Sequence, residues 1–148
     1  MKKLLAVALV LVAQQLMASQ TVVEDGCTTG TDCPKVQKYA QVCVVNPQEN
    51  NRDVLVRTSW NIGDGKHPLV LTSGAQVVYR LAMEEPKADA QLSVSFRKSC
   101  LVCGVRTKQL AVSWTQEATN DCDKLPKFEF VYTLSGNGKP ELDLVPAK

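Results

Sequence analysis

The sequence predicts an all-β protein: a single antiparallel β-sandwich, Ig-like in general architecture and stapled by disulfides. Three observations predict it. Apolar side chains recur at every second residue, turn-forming residues separate these stretches, and the 148 residues include six cysteines. A period of two is typical of strands with one buried face. A small barrel fits the same spacing, and the sandwich is preferred as the commoner architecture.

The strand over 91–97 has the clearest alternation. Leu92, Val94 and Phe96 share one face, and polar or charged residues occupy the other. The same pattern predicts strands over 53–60, 76–83, 110–114 and 128–134, with weaker signals over 39–45, 69–72 and 142–145. Turn-forming residues separate them at 46–51, 61–68, 73–74, 84–87, 119–126 and 135–140.

Two parts of the chain do not fit this alternation. Residues 19–38 are polar and contain cysteines, which predicts an N-terminal loop. Over 100–109 the apolar phase is interrupted by charges and resumes at Leu110. A bulge or a turn near Gly104 would restore the alternation.

The first residues have the composition of a secretory signal peptide. Two lysines precede an apolar run over 4–13, and small residues follow near Ala18. The run is shorter than a membrane-spanning helix requires. We therefore expect a cleaved signal peptide over 1–18 and one domain over 19–148, exported to the periplasm or the medium.

The charge balance argues against nucleic acid and anionic membranes as partners. The chain carries 17 Lys and Arg against 15 Asp and Glu. Because Lys2 and Lys3 lie in the predicted signal peptide, the remainder has 15 basic and 15 acidic side chains. A neutral chain has no general attraction to phosphate backbones or anionic lipid. No later apolar stretch is long enough to predict a membrane span.

The cysteines predict a structural framework. An even number in an exported domain favours three disulfides, and the spacing does not choose among the fifteen pairings. The candidates are Cys27, Cys33, Cys43, Cys100, Cys103 and Cys122.

Cys100 and Cys103 also form a C-x-x-C motif, which raises the hypothesis of a thiol-disulfide enzyme. The surroundings resemble a strand rather than the start of a helix, and residues three apart in an extended strand lie roughly 10 Å apart. Either the chain turns here or each thiol bonds elsewhere. A zinc site that also uses Cys27 and Cys33 has unusual spacing, so we expect neither metal nor cofactor.

His67 is the only histidine, so any mechanism that needs an imidazole must use it. It lies in a Gly- and Pro-containing stretch, which predicts a turn. No serine has the sequence of a nucleophile elbow. We interpret His67 as an exposed loop residue and expect no catalytic residues.

Seven of the eight aromatic residues fall on the apolar phase of their strands, which predicts core positions; they are Trp60, Tyr79, Phe96, Trp114, Phe128, Phe130 and Tyr132. The alternative is a cavity that these side chains line.

Three functional hypotheses follow. The first is a non-enzymatic binding module that recognises another protein, as an inhibitor, immunity factor or assembly subunit does. The second is a carrier of a small apolar ligand or lipid in a cavity between sheets, and the third is the thiol-disulfide enzyme. Two loops offer candidate contact residues for a partner: Gly63, Asp64, Lys66 and His67 in one, and Lys98, Arg106 and Lys108 in the other.

Overall fold

The computed structural model describes residues 20–26, 38–62, 65–98 and 104–148. These residues form an all-β structure. Its strands are β1 (Gln20–Gly26), β2 (Lys38–Val45), β3 (Val54–Trp60), β4 (Lys66–Leu71), β5 (Gln76–Met83), β6 (Gln91–Arg97), β7 (Val105–Ala111), β8 (Trp114–Thr115), β9 (Lys127–Leu134) and β10 (Pro140–Pro146). Short 3₁₀ turns occur at Gln48–Asn50 and Cys122–Lys124.

The strands form two sheets. The larger has the order β1-β5-β2-β9-β10, with the short β8 also paired to β2. The smaller has the order β4-β3-β6-β7. All neighbours in the smaller sheet are antiparallel, whereas β1 runs parallel to β5 and β2 runs parallel to β9. The expectation of an antiparallel sandwich therefore fails at these two pairs. Each of them joins strands that are not consecutive in the chain, and the long connections between them allow a parallel orientation.

The alternation read from the sequence places the apolar side chains in one core. Every second residue of β3 and β6 is buried, and the inward-facing residues of both sheets belong to one hydrophobic cluster. Phe96 of β6 and Phe130 of β9 meet edge to face with ring centroids 5.0 Å apart. Of the predicted core aromatics, Trp60, Tyr79, Phe96 and Phe130 are buried, while Trp114, Phe128 and Tyr132 are half-buried against the cluster.

Two segments predicted as loops contain strands. Residues 20–26 form β1, an edge strand that pairs along its whole length with β5. His67 lies in β4 rather than in a turn, because β4 begins at Lys66 and pairs with β3. The predicted turn between β6 and β7 falls mostly outside the described residues; at its two ends Lys98 N–H bonds Gly104 O at 3.2 Å, and Arg97 pairs with Val105 in antiparallel strands.

The outer face of the larger sheet is covered by the segment 116–126, which we call the strap. Cys122 in the strap forms a disulfide with Cys43 of β2, with Cα atoms 5.5 Å apart. Beside the disulfide, Gln41 and Arg80 lie buried beneath the strap. Gln41 Oε1 accepts bonds from Arg80 Nε and from the backbone N–H of Thr119, both at 3.0 Å. The covered face is therefore held by a disulfide and a satisfied polar network.

No helix among the described residues combines the length and the hydropathy that crossing a membrane requires.

Candidate functional site

A pocket of about 340 Å³ lies between the two sheets, at the end where β1, β3 and β5 finish and β4 begins. The larger sheet contributes residues of β1 and β5, and the smaller sheet contributes residues around the β3–β4 connection. The lining residues are Asp25, Gly26, Trp60, Ile62, Gly65, Leu81 and Met83. Pockets of roughly 300–1,000 Å³ with apolar walls and a few polar groups are typical of small-molecule sites.

The walls of this pocket are largely apolar. Trp60 and Leu81 are buried, while Ile62 and Met83 are half-buried and pack against the core. Trp60 is the last residue of β3, and the alternation of that strand turns its side chain inward. The pocket can therefore remove an apolar group from water, which is a favourable contribution to binding.

Trp60 also provides a polar group with no partner. The indole is 4% exposed, and Nε1 has no acceptor among the described residues. A buried indole N–H normally finds an acceptor, because an unmade hydrogen bond leaves its desolvation uncompensated. The nitrogen is closed off from water-sized molecules, so Trp60 lines the pocket with other atoms of its side chain or backbone.

Asp25 and His67 join the two sheets at the edge of this pocket. Asp25 lies on β1 beside Leu81 of β5, and His67 lies on β4 beside Thr58 of β3. Their side chains meet with Nε2 and Oδ1 2.5 Å apart, so His67 donates from Nε2 to the carboxylate. The Asp25 side chain is 17% exposed, and its charge is largely sheltered between the sheet edges.

Gly65 allows this close approach. A Cβ at Gly65 would lie 2.8 Å from Asp25 Oδ1 and 3.1 Å from His67 Nε2. Both distances are shorter than ordinary contacts between such atoms, so a side chain would push the two groups apart. A side chain where the chain enters β4 would therefore compete with the Asp25–His67 contact.

Tyr79 lies two residues before Leu81 on β5, on the same face of the strand. Burial raises the pKa of Tyr79 to about 12, and Thr58 offsets part of the rise. The phenolic oxygen nevertheless has no hydrogen-bond partner of normal geometry among the described residues. Trp60 Nε1 and Tyr79 OH are thus the two buried side-chain polar atoms without hydrogen-bond partners among the described residues.

The structure separates the predicted contact residues from one another. Gly63 and Asp64 lie outside the described residues, and Lys66 is exposed at the start of β4. Of these residues only His67 contacts a group that lines the pocket.

The basic residues of the other predicted loop belong to a different part of the molecule. Lys98 directly follows β6, whereas Arg106 and Lys108 lie on the inward phase of β7. Lys108 pairs with Asp143 of β10 at 3.2 Å; Arg106 bonds the same carboxylate at 3.2 Å and Glu141 at 3.3 Å. The interrupted apolar phase is therefore a row of ion pairs between the sheet edges.

The expected cysteine framework is shown in part. Cys43 and Cys122 form a disulfide, whereas the predictions for Cys27, Cys33, Cys100 and Cys103 fall outside the described residues. Arg97 and Val105, on either side of the C-x-x-C motif, pair with each other in two antiparallel strands.

Sequence reasoning missed Asp25 as a pocket residue. Asp25 lies in a stretch without alternation, because an edge strand needs less apolar surface than a central one. Trp60 was predicted as a core residue, which its burial confirms, with a cavity lined by the aromatic residues as the alternative.

No family model matches the chain, and no curated protein or solved structure matches it. The function is therefore argued from the chemistry of the pocket.

Proposed function

We propose that this protein is a non-enzymatic binding module that takes up a small, mainly apolar molecule in the pocket between its two sheets. The observation that carries the proposal is the pocket of about 340 Å³ with largely apolar walls between the two sheets. The proposal includes an Ig-like sandwich as the scaffold, which the shared core and the Phe96–Phe130 contact support.

Export to an oxidising compartment, the periplasm or the medium, is part of the proposal. The Cys43–Cys122 disulfide supports it, because such bonds persist where thiols are not kept reduced. A carrier in such a compartment needs a scaffold that stays folded without help. The disulfide and the Gln41–Arg80 network provide one on the outer face of the larger sheet.

Binding in the pocket can be followed at a single labelled residue. Ile62 is its only isoleucine, and its side chain lines the pocket. In protein labelled with ¹³C at isoleucine δ1 methyl groups, titration with α-methylstyrene should shift one resonance in a saturable manner. A resonance that stays unmoved up to the solubility limit of the hydrocarbon would end the proposal.

Two variants locate the binding. Met83→Trp fills the pocket from β5 and should abolish the shift of the Ile62 methyl. Val70→Trp adds the same side chain on the outer face of β4, where Val70 is 56% exposed, and should leave the shift unchanged. Equal binding by both variants would place the hydrocarbon elsewhere.

Recognition of a protein partner is the second candidate function. One specific observation favours it: Leu55 and Val70 lie directly opposite each other on β3 and β4, and both are exposed, at 45% and 56%. They form an apolar pair beside the free edge of the smaller sheet, where partner strands and loops commonly dock.

Capture from the exported fraction of the native host tests the second candidate. A specific partner should be retained by the wild type and lost with Val70→Lys. Thr107→Lys, on β7 at the far edge of the same sheet, should retain it. Identical capture by all three proteins would contradict recognition through this pair.

A further inference from the structure

Charges are balanced at one open edge between the two sheets and not at the other. At the edge between β7 and β10, Arg106 and Lys108 both pair with Asp143. At the edge between β1 and β4, Asp25 meets His67, and no lysine or arginine in the described parts of the chain forms an ion pair with its carboxylate. When His67 is neutral, the negative charge of Asp25 therefore has no opposite charge beside it.

The register of β1 places the Asp25 side chain on the face that holds the pocket. Asp25 pairs with Leu81 of β5, and paired residues of neighbouring strands have their side chains on the same face of a sheet. Leu81 is buried in the core and lines the pocket. Glu24, one residue earlier, lies on the opposite face and pairs there with Arg80 at 3.7 Å. Asp25 is thus the one charged residue among the described residues that line the pocket.

The Asp25 carboxylate can accept further hydrogen bonds. Its Oδ1 takes the Nε2 proton of His67, whereas an ionised carboxylate has two oxygens with about four acceptor sites in total. The side chain is 17% exposed, and neither of its oxygens is among the buried atoms that lack a partner. The carboxylate is therefore an open acceptor beside apolar walls, in contrast to the closed-off Trp60 Nε1.

We infer that the ligand of this pocket is a small organic cation, with an apolar body held by the walls and an ammonium or amidinium group that donates to the Asp25 carboxylate. This inference rests on the proposed function, since it names the chemistry of the ligand that the pocket takes. It assigns Asp25 as the residue that determines specificity.

Both parts of such a ligand have a physical reason to bind. The walls contributed by Ile62, Leu81 and Met83 remove an apolar body from water. A carboxylate that is sheltered from water without an opposite charge is costly, and a cation that donates to it offsets that cost. An anion would instead lie beside a like charge, and this repulsion is stronger where water is partly excluded.

Three probes of nearly equal shape test the inference: benzamidinium is cationic, α-methylstyrene is neutral and apolar, and benzoate is anionic. The shift of the Ile62 methyl measures the affinity of the wild type for each, at about pH 8, where histidine in water is neutral. Benzamidinium should bind about tenfold more tightly than benzoate, because only the cation can donate to a charged acceptor. Met83→Trp, which fills the pocket, should abolish the binding of benzamidinium as it does that of α-methylstyrene.

Asp25→Asn separates the charge of the side chain from its shape, since the amide oxygen can still accept from His67. Benzamidinium should bind about tenfold more weakly to this variant than to the wild type, and benzoate should bind more tightly. The affinity for α-methylstyrene should stay within about twofold of the wild-type value, because this probe makes only apolar contacts.

Glu24→Gln is the matched control. It removes the neighbouring carboxylate on the opposite face of β1 and should leave the affinities for all three probes unchanged. The preference of the wild type for benzamidinium over benzoate decides the matter even where Asp25→Asn does not fold.

The outcomes separate the inference from the proposed function. Equal affinities of the wild type for benzamidinium and benzoate, with α-methylstyrene bound, would overturn the inference and leave the pocket as an apolar site. An Asp25→Asn variant that binds all three probes more weakly by the same factor would also overturn it, since Asp25 would then shape the pocket rather than select a cation. An Ile62 methyl that α-methylstyrene leaves unmoved would overturn the proposed function itself.

Discussion

Gly26 closes β1 in a conformation that other residues rarely adopt. Its φ is +82°, and a Cβ there would lie 2.1 Å from the backbone oxygen of Ala82 on the paired strand. Gly26→Ala should therefore lower the free energy of unfolding by about 3 kcal/mol, through left-handed strain and a backbone clash together. Urea unfolding measures this loss. Gly136→Ala, where a Cβ meets nothing within 4 Å, is the matched control. Equal stabilities of the two variants would contradict the β1–β5 register.

Tyr79 links stability to alkaline pH. Its pKa is about 12 in the folded protein because burial disfavours the phenolate, against 10.0 for an exposed phenol. The neutral form is thus favoured by folding. The resulting stability is fully present below pH 10 and is lost as pH rises through about 12.

Tyr79→Phe should therefore show a smaller loss of stability between pH 10 and 12 than the wild type. At neutral pH the variant should be about as stable, because the hydroxyl has no hydrogen bond of normal geometry to lose. Urea unfolding at several pH values measures both. Tyr132→Phe, at a half-buried position of β9, should keep the wild-type pH dependence. A Tyr79→Phe profile that matched the wild type would show that this phenol does not titrate with unfolding.

Individual side chains show what the sequence could and could not predict. The inward position of Leu92, Val94 and Phe96 follows from alternation alone and is found in the structure. The contact of Asp25 with His67 could not be predicted, because it joins edge strands of two different sheets whose strand order the alternation does not encode.

At the scale of elements, the strap is held to the larger sheet mainly by Cys43–Cys122. The bond joins residues 79 positions apart, so it restricts the unfolded chain strongly. Replacing both residues, in Cys43→Ala with Cys122→Ala, should lower the free energy of unfolding by about 4 kcal/mol. It should also make the strap the first site of proteolysis, which limited digestion and mass spectrometry would locate.

Asp123→Ala is the control for the strap. Its carboxylate is fully exposed and forms an i,i+4 pair with Lys127, so its loss should leave both the unfolding midpoint and the cleavage pattern unchanged. Cleavage elsewhere in the double variant, with the strap intact, would mean that the Gln41–Arg80 network alone holds the segment.

The strands differ in how regularly apolar and polar residues alternate in their sequences, and this difference has a physical cause. Central strands such as β3 and β6 bury one face against the opposite sheet, which selects regular alternation. The edge strand β1 is exposed along its first residues, so its sequence shows little pattern. At β4, Pro68 suggested a turn, yet an edge strand tolerates a residue that lacks a backbone donor.

At the scale of the whole molecule, charged side chains bridge the two sheets at both open edges. Asp25 and His67 join β1 to β4, while Arg106 and Lys108 of β7 pair with acidic side chains of β10. The pocket lies at the first of these edges. The second edge has no lining residue of the pocket, so it can be altered without touching the proposed site.

Asp143 makes that second edge sensitive to acid. Its burial raises the pKa, but the N–H of Leu144, Lys108 and Arg106 outweigh this effect and hold the pKa below its usual range. A depressed folded pKa contributes stability above the unfolded value near 3.8, and that stability is lost as pH falls further. The contribution of Asp143 to stability should therefore be lost below about pH 4.

Asp143→Asn removes this contribution, and the comparison with the wild type isolates it. The variant should be less stable by about 1 kcal/mol at pH 7, because Arg106 and Lys108 lose a half-buried partner. The two proteins should converge as pH falls below 4, where the wild-type carboxylate is protonated. Urea unfolding across this range measures the difference.

The control for the acid-sensitive edge is Asp123→Asn, which alters only an exposed pair and should follow the wild type throughout. A constant difference between Asp143→Asn and the wild type at every pH would mean that the substituted amide disturbs packing rather than charge. Because this edge is remote from the pocket, binding of α-methylstyrene at pH 7 should be unchanged in Asp143→Asn. Unchanged binding in a less stable protein would show that the pocket does not depend on the ion pairs between β7 and β10.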